Sequence, residues 1–240
     1  MLQNIALDQL LLLDIETTPA YQRFSQVPAA LQPLWLDKMT KTAPDSTDPE
    51  ETYGNRAGIF AEFGKIVCIS VGFFHVENGR HQLRIKSFAS DDEAALLIDF
   101  LQLVQKFHTR FPRFQFAGHN IKEFDIPYIC RRSVINQCAL PPALHIHGFK
   151  PWELPMLDTM QLWRFGDFKN YTSLRLLTAV LNIPTPKDDI DGSMVAKVYW
   201  EEHNLQRIAD YCQKDVVAVA QLLLRFKCLP LILPEDVILA

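Results

Sequence analysis

The sequence lacks a basic excess. Its 24 Lys and Arg stand against 28 Asp and Glu, a formal net charge of −4 at pH 7. That balance argues against a protein that coats nucleic acid by counterion release. It is compatible with an enzyme that grips a few nucleotides in one cleft. Paired cysteines are also missing: Cys68, Cys130, Cys138, Cys212 and Cys228 are odd in number and hold no Cys-x-x-Cys spacing. Structural zinc and a disulfide framework are therefore poor readings, and a reducing compartment fits better. "MLQNIALDQL" has no basic n-region and carries Asp8 early, so the start does not read as a secretory signal. No apolar run approaches the roughly 20 residues that span a bilayer. These absences lead us to expect a cytoplasmic protein with no membrane partner.

What is present is enough apolar sequence, 48% of 240 residues, to bury a sizeable core. Residues 9–16 read as a short buried strand by length and apolar density. Residues 19–60 differ. They mix prolines, a short helix around Leu31 to Met39 and the polar stretch "TAPDSTDPEE", and read as an inserted, irregular and partly helical segment of a single domain spanning 1–240. "KIVCISVGFFHV" (65–76) predicts a strand, "ENGR" a hairpin turn and "HQLRIKSFA" (81–89) the return strand. Ser90 is the expected N-cap of the next helix, with Glu93 completing a capping box. A strand over 114–120, a helix from Asp125, a last strand over 157–163, a helix in "TSLRLLTAVLNI" and one long helical stretch from about Met194 to Phe226 follow. The order predicts an α/β protein with a mixed sheet.

In "LLLDIETTPA" (11–20) two acids end an apolar run. Positions i and i+2 of a strand share a face, so Asp14 and Glu16 project together and repel unless protonated or bridged by a cation. A hard divalent ion suits such a pair; a strand that has simply ended in solvent is the plain alternative. Asp125, in "GHNIKEFDIPY", opens a helix, where it also fits an ordinary cap with Pro127 in the first turn. Tyr211 and Asp215, in "YCQKDV", are four apart on one helix face. Beside them Ile208, Val216, Val219 and Leu223 make an apolar stripe. Core-edge packing of Tyr211 and pairing of Asp215 with Lys214 or Lys227 is the alternative there.

Taken in order, "DIET", "GHNIKEFDIPY" and "YCQKDV" resemble the three motifs of the DEDD superfamily of 3′→5′ exonucleases, which share a ribonuclease H-like fold. Tyr211 places the chain with the tyrosine variant, DEDDy. The chain resembles the proofreading exonuclease domain of family B DNA polymerases, in its stand-alone bacterial form. "KDDIDGSMV" (187–195) also resembles that group. The resemblance implies an α/β, ribonuclease H-like fold with a mixed five- to six-stranded sheet flanked by helices. It implies two divalent ions, Mg²⁺ or Mn²⁺, held by Asp14, Glu16, Asp125 and Asp215, with Tyr211 orienting the attacking water. Two such ions about 3.5–4 Å apart stabilise both the attacking and the leaving oxygen.

Substrate contacts are expected from Thr17, Asn120, Phe124 and Tyr128. For Phe124, Tyr128 and Phe168 core or rim packing is the alternative to base stacking, and for Asn120 it is loop capping. Asp158 reads as a cap or turn acid. The implied substrate is the 3′ end of single-stranded nucleic acid, DNA favoured over RNA, with nucleoside 5′-monophosphates as products. No polymerase follows within the chain, so editing would call for a polymerase or repair partner in trans. A ribonuclease D type exoribonuclease and a catalytically silent nucleic-acid-binding domain are the competing functions.

Overall fold

A computed structural model describes residues 2–43, 48–77, 79–167, 169, 171–184 and 189–239. Strand β1, Leu10–Pro19, is apolar on both faces as far as Asp14. Leu11, Leu13 and Ile15 enter one core, and Leu10 and Leu12 enter another. Burial on both faces is the mark of an interior strand. The strand runs three residues past its expected end, through Thr17, Thr18 and Pro19.

The segment that follows contains the expected helix, α1, Gln32–Thr42. It also contains α2, Pro49–Arg56, whose polar sequence conceals it. Asp48 caps α2 by accepting from the N–H of Glu50 at 2.9 Å. Trp35, Met39 and Tyr53 pack with Val27 and Phe63 into a small core of their own.

Strands β2, Gly64–Glu77, and β3, Arg80–Ala89, pair antiparallel from Cys68↔Ala89 to Glu77↔Arg80. Asn78 of their expected turn lies outside the described residues. Helix α3, Glu93–Arg110, corrects the expected cap. Asp92, not Ser90, accepts from the N–H of Ala95 at 3.1 Å, while Ser90 Oγ accepts from the N–H of Asp92. Glu93 is turned inward to other partners, which dissolves the capping box. Next come β4, Gln115–Gly118, α4, Asp125–Ile135, β5, Met156–Asp158, and α5, Thr159–Arg164. The strand expected over 157–163 therefore stops at Asp158. That carboxylate accepts from the N–H groups of Met160 and Gln161 and starts a helix instead.

Helix α6, Leu174–Val180, is followed by α7, Val195–Trp200, and α8, Leu205–Phe226. The single helical stretch expected from Met194 is broken at 201–204, where Asn204 caps α8 by accepting from the N–H of Arg207. Lys187 and Asp188 of "KDDIDGSMV" and Phe168 lie outside the described residues. Strand β6, Val237–Leu239, closes the sheet.

The sheet order is β5-β4-β1-β2-β3-β6. The pairs β1–β2 and β2–β3 are antiparallel, and the pairs involving β4, β5 and β6 are parallel. This is the mixed α/β sheet of a ribonuclease H-like fold. Helices α3 and α4 cover one face, and α8 crosses the other through Val216, Val219, Ala220 and Leu223. Each fully buried aliphatic side chain contributes about 1.5–3 kcal/mol. Gly72 permits the close seat of α8, because a Cβ there would lie 2.7 Å from Val216 Cγ1. No described helix is long and apolar enough to cross a membrane.

Candidate active site

β1 and β4 are parallel, so their carboxyl ends open at the same edge of the sheet, the usual place for a ligand crevice. Asp14 and Glu16 stand at that end of β1 and continue the α8-facing side set by Leu10 and Leu12. Their antiparallel neighbours are Ser70 and Cys68, and the register then slips, so that Thr17 faces Ile66. A bulge of this kind re-aims the side chains beside it. Glu16 and Asp125 are buried, at 7% and 4% exposure, while Asp14 is half-buried on the cleft floor.

Asp125 is the first residue of α4, one place past the N-cap residue Phe124. The Asp125 carboxylate accepts from its own N–H, at the helix start, and from the N–H of Ile15 in β1. From α8, Asp215 comes close enough to raise the pKa of Asp14, Glu16 and Asp125.

Burial, then Asp215, Glu16 and Asp125, push Asp14 well above the usual carboxylate range. Burial and Asp215 do the same to Glu16. Asp125 is pushed to about 7, mainly by burial and against its two backbone hydrogen bonds. No lysine or arginine figures among the groups that shift these three acids. The fold therefore gathers four carboxylates from β1, α4 and α8, and at Asp14, Glu16 and Asp125 burial and mutual repulsion raise the proton affinity.

Residues 59–236 match a family model described as a predicted 3′-5′ exonuclease related to the exonuclease domain of PolB. The chain belongs to that family. The match begins beyond β1, so the placing of Asp14 and Glu16 beside Asp125 and Asp215 is the work of the fold. The fold is similar to that of the family B DNA polymerase from the hyperthermophilic archaeon Pyrobaculum calidifontis. That likeness has a TM-score of 0.51 at 15% identity, over 88% of this chain and 23% of that one. The chain thus spans about a quarter of the polymerase's length. No curated protein matches the sequence.

One neighbour of these acids is not singled out by the motif reading. Cys212 Sγ donates to Asp14 Oδ2 at 3.3 Å, and Asp14, Glu16 and Cys212 hold donor atoms within 4.8 Å of one another. Burial pushes the Cys212 thiol well above its usual range, so it acts as a hydrogen-bond donor beneath Asp14. Its signal was its place in the α8 stripe, four residues after Ile208 and four before Val216.

Asp158 is the second neighbour. Besides capping α5, it accepts from the N–H groups of Asn120 and Lys122 at 3.1 and 3.3 Å, and so holds the turn between β4 and α4. Asn120 adopts φ 64°, and its Oδ1 is buried without a hydrogen bond. Loop capping by that side chain is thus not what the structure holds.

Tyr128 corrects an expectation. It is 1% exposed and its hydroxyl donates to the Gly58 carbonyl at 2.8 Å, so it presents no face to a base. The half-buried Thr17 hydrogen-bonds to the same phenol. Phe124 is half-buried against the core, its ring 5.3 Å from that of Tyr128. Tyr211 is half-buried and, with Asp14 and Asp215, lines a cleft of about 800 Å³. The lining also includes His119, Tyr171 and Arg175.

Proposed function

We propose that this exonuclease is metal-dependent and removes nucleoside 5′-monophosphates from the 3′ end of single-stranded nucleic acid, with DNA preferred. The observation that carries the reading is the buried group of acids with raised proton affinity and no basic partner among the groups that shift them. Buried charge without compensation is costly. An oxygen-rich, anionic donor set of this kind fits Mg²⁺ or Mn²⁺.

Asp14, Glu16, Asp125 and Asp215 would hold two such ions. Bound there, the ions supply Lewis-acid stabilisation of the phosphodiester oxygens and make a water acidic enough to attack at neutral pH. Tyr211, one helical turn before Asp215, would orient the attacking water. An unperturbed phenol, with a pKa of about 10, is a poor base at neutral pH. Cys212 keeps the Asp14 carboxylate oriented from below. Asn120, whose Oδ1 holds no hydrogen bond, would meet the terminal nucleotide together with Thr17 and Phe124.

Two 5′-labelled single strands of one sequence, DNA and RNA, test the reading with Mn²⁺ or with EDTA. The expected result is a ladder that shortens from the 3′ end only with metal, and faster on DNA. A faster RNA ladder would replace the DNA preference with the exoribonuclease. Retained binding with no ladder on either strand would replace both with a silent binding module.

A further inference from the structure

On the cleft wall only His119 belongs to one of the three motifs, while Tyr171 and Arg175 lie outside them, and the charge of the cleft is unusual for a nucleic-acid site. Asp14, Asp189, Asp191 and Asp215 all line the cleft, and among the described lining residues Arg175 is the one lysine or arginine. The guanidinium of Arg175 is exposed and faces Asp191. Asp191 is held below the usual range first by hydrogen bonds from Ser193 and to a lesser degree by Arg175. Asp189 is paired with Arg207, which is not among the lining residues, so the cation that the cleft lining itself offers to a polyanionic strand is Arg175.

The same wall presents Tyr171 at 65% exposure, whereas the expected stacking residue Tyr128 is buried. The wall is fixed from behind. His119 Nε2 donates to the Thr172 carbonyl at 2.9 Å, between Tyr171 and Ser173, and Nδ1 meets Thr159 Oγ1 at 2.9 Å. Ser173 in turn accepts from the N–H of Leu176 at the start of α6. Both Tyr171 and Arg175 are thus anchored to the turn that follows β4, on which Asn120 sits.

We propose that Tyr171 stacks on a base of the substrate strand and Arg175 takes one of its backbone phosphates, with His119 as the positioning residue for both. The inference rests on the exonuclease reading and adds the surface that holds the strand. Stacking on one aromatic tolerates any base, so this wall confers no sequence preference.

The test uses the full chain and a 5′-labelled single strand carrying 2-aminopurine among its last few nucleotides. One stacked base is worth about a 5- to 150-fold change in affinity. Tyr171→Leu is therefore expected to raise KM about tenfold or more, with kcat falling far less, and to relieve the quenching of 2-aminopurine. Tyr171→Phe restores both. Arg175→Gln is expected to lower the slope of log KM against log salt by about 0.7, the share of one single-strand phosphate contact. Trp152→Leu, at a still more open aromatic preceding β5 at the end away from Asp158, leaves all three readouts unchanged. If the wild type cleaves and neither Tyr171→Leu nor Arg175→Gln moves KM, quenching or salt slope, the wall is not the strand surface and the exonuclease reading stands. If the wild type neither binds nor cleaves the strand, both fall together.

Discussion

Glu93 and Glu16 are equally buried, each 7% exposed, and their carboxylates are treated in opposite ways. Glu93 accepts from Arg132 Nε at 2.8 Å and from Arg132 Nη2, from the N–H of Ile66 at 2.7 Å and from Asn136 Nδ2 at 3.0 Å. Glu16 shares its surroundings with Asp14, Asp125 and Asp215, and what acts on it raises its proton affinity. The fold can neutralise a buried acid when structure requires it, and it withholds that treatment at the end of β1. The two regions also touch. Ile66, held by Glu93, is the residue opposite Thr17 just beyond the bulge, so the braced acid sits behind the strand irregularity that aims the unbraced one.

The sharpest way to break the contrast is to remove charge on each side. Asp14→Asn or Asp215→Asn is expected to lower kcat with Mn²⁺ at least about a thousandfold, since metal clamps contribute several kcal/mol of transition-state stabilisation. A variant of either residue that kept its rate would end the four-acid assignment. On the braced side Arg132→Ala is expected to destabilise the protein by about 3–5 kcal/mol, because it strands a buried carboxylate. It also frees the Ala61 carbonyl, which accepts from Arg132 Nη1 at 2.8 Å. Urea unfolding reads this directly, and a loss below about 1 kcal/mol would mean that Glu93 finds another partner.

Asp125→Asn should do the reverse of Arg132→Ala. The folded carboxyl has a pKa raised to about 7, so the metal-free folded protein binds more protons than the unfolded chain between the ordinary carboxylate range and about 7. Its stability is then greatest at low pH and falls as pH rises through 7. A tenfold change in proton affinity corresponds to about 1.4 kcal/mol, and Asp125→Asn is expected to gain at least that order at pH 8 in EDTA while losing activity. Thermal melts at pH 5 and pH 8 provide the check. Mn²⁺ should raise Tm more at pH 8 than at pH 5, and a metal-free wild type that melts higher at pH 8 would contradict the charge picture.

Much of this was legible in the sequence because periodicity is local. The two-residue spacing of Asp14 and Glu16, and the α8 stripe of Ile208, Val216, Val219 and Leu223, need no knowledge of distant partners. The misses share the opposite cause. Glu93 looked like a capping-box residue until Arg132, 39 positions away, claimed it. Helix α2 is polar in sequence, and its one fully buried ring, Tyr53, makes sense only against Trp35, 5.3 Å away between centroids. Strand β6 has three residues, too few for a pattern, and forms by pairing with β3. Tyr128 looked like a stacking residue because sequence shows the ring and not what lies over it.

That last case gives the smallest expected effect and separates packing from binding most cleanly. The Tyr128 hydroxyl fills the space beside Gly64, where a Cβ would stand 2.3 Å from it, and ties α4 to the Gly58 carbonyl. Burial pushes the phenol well above its usual range, so at every working pH it is a neutral donor. Tyr128→Phe removes the hydrogen bonds to the Gly58 carbonyl and with Thr17 and leaves the ring in place, a cost of about 1–2 kcal/mol in urea unfolding. Because the ring faces the core, KM for a single strand should not move. A KM raised severalfold with stability unchanged would put Tyr128 back among the substrate contacts, and would mean that α4 shifts when the cleft is filled.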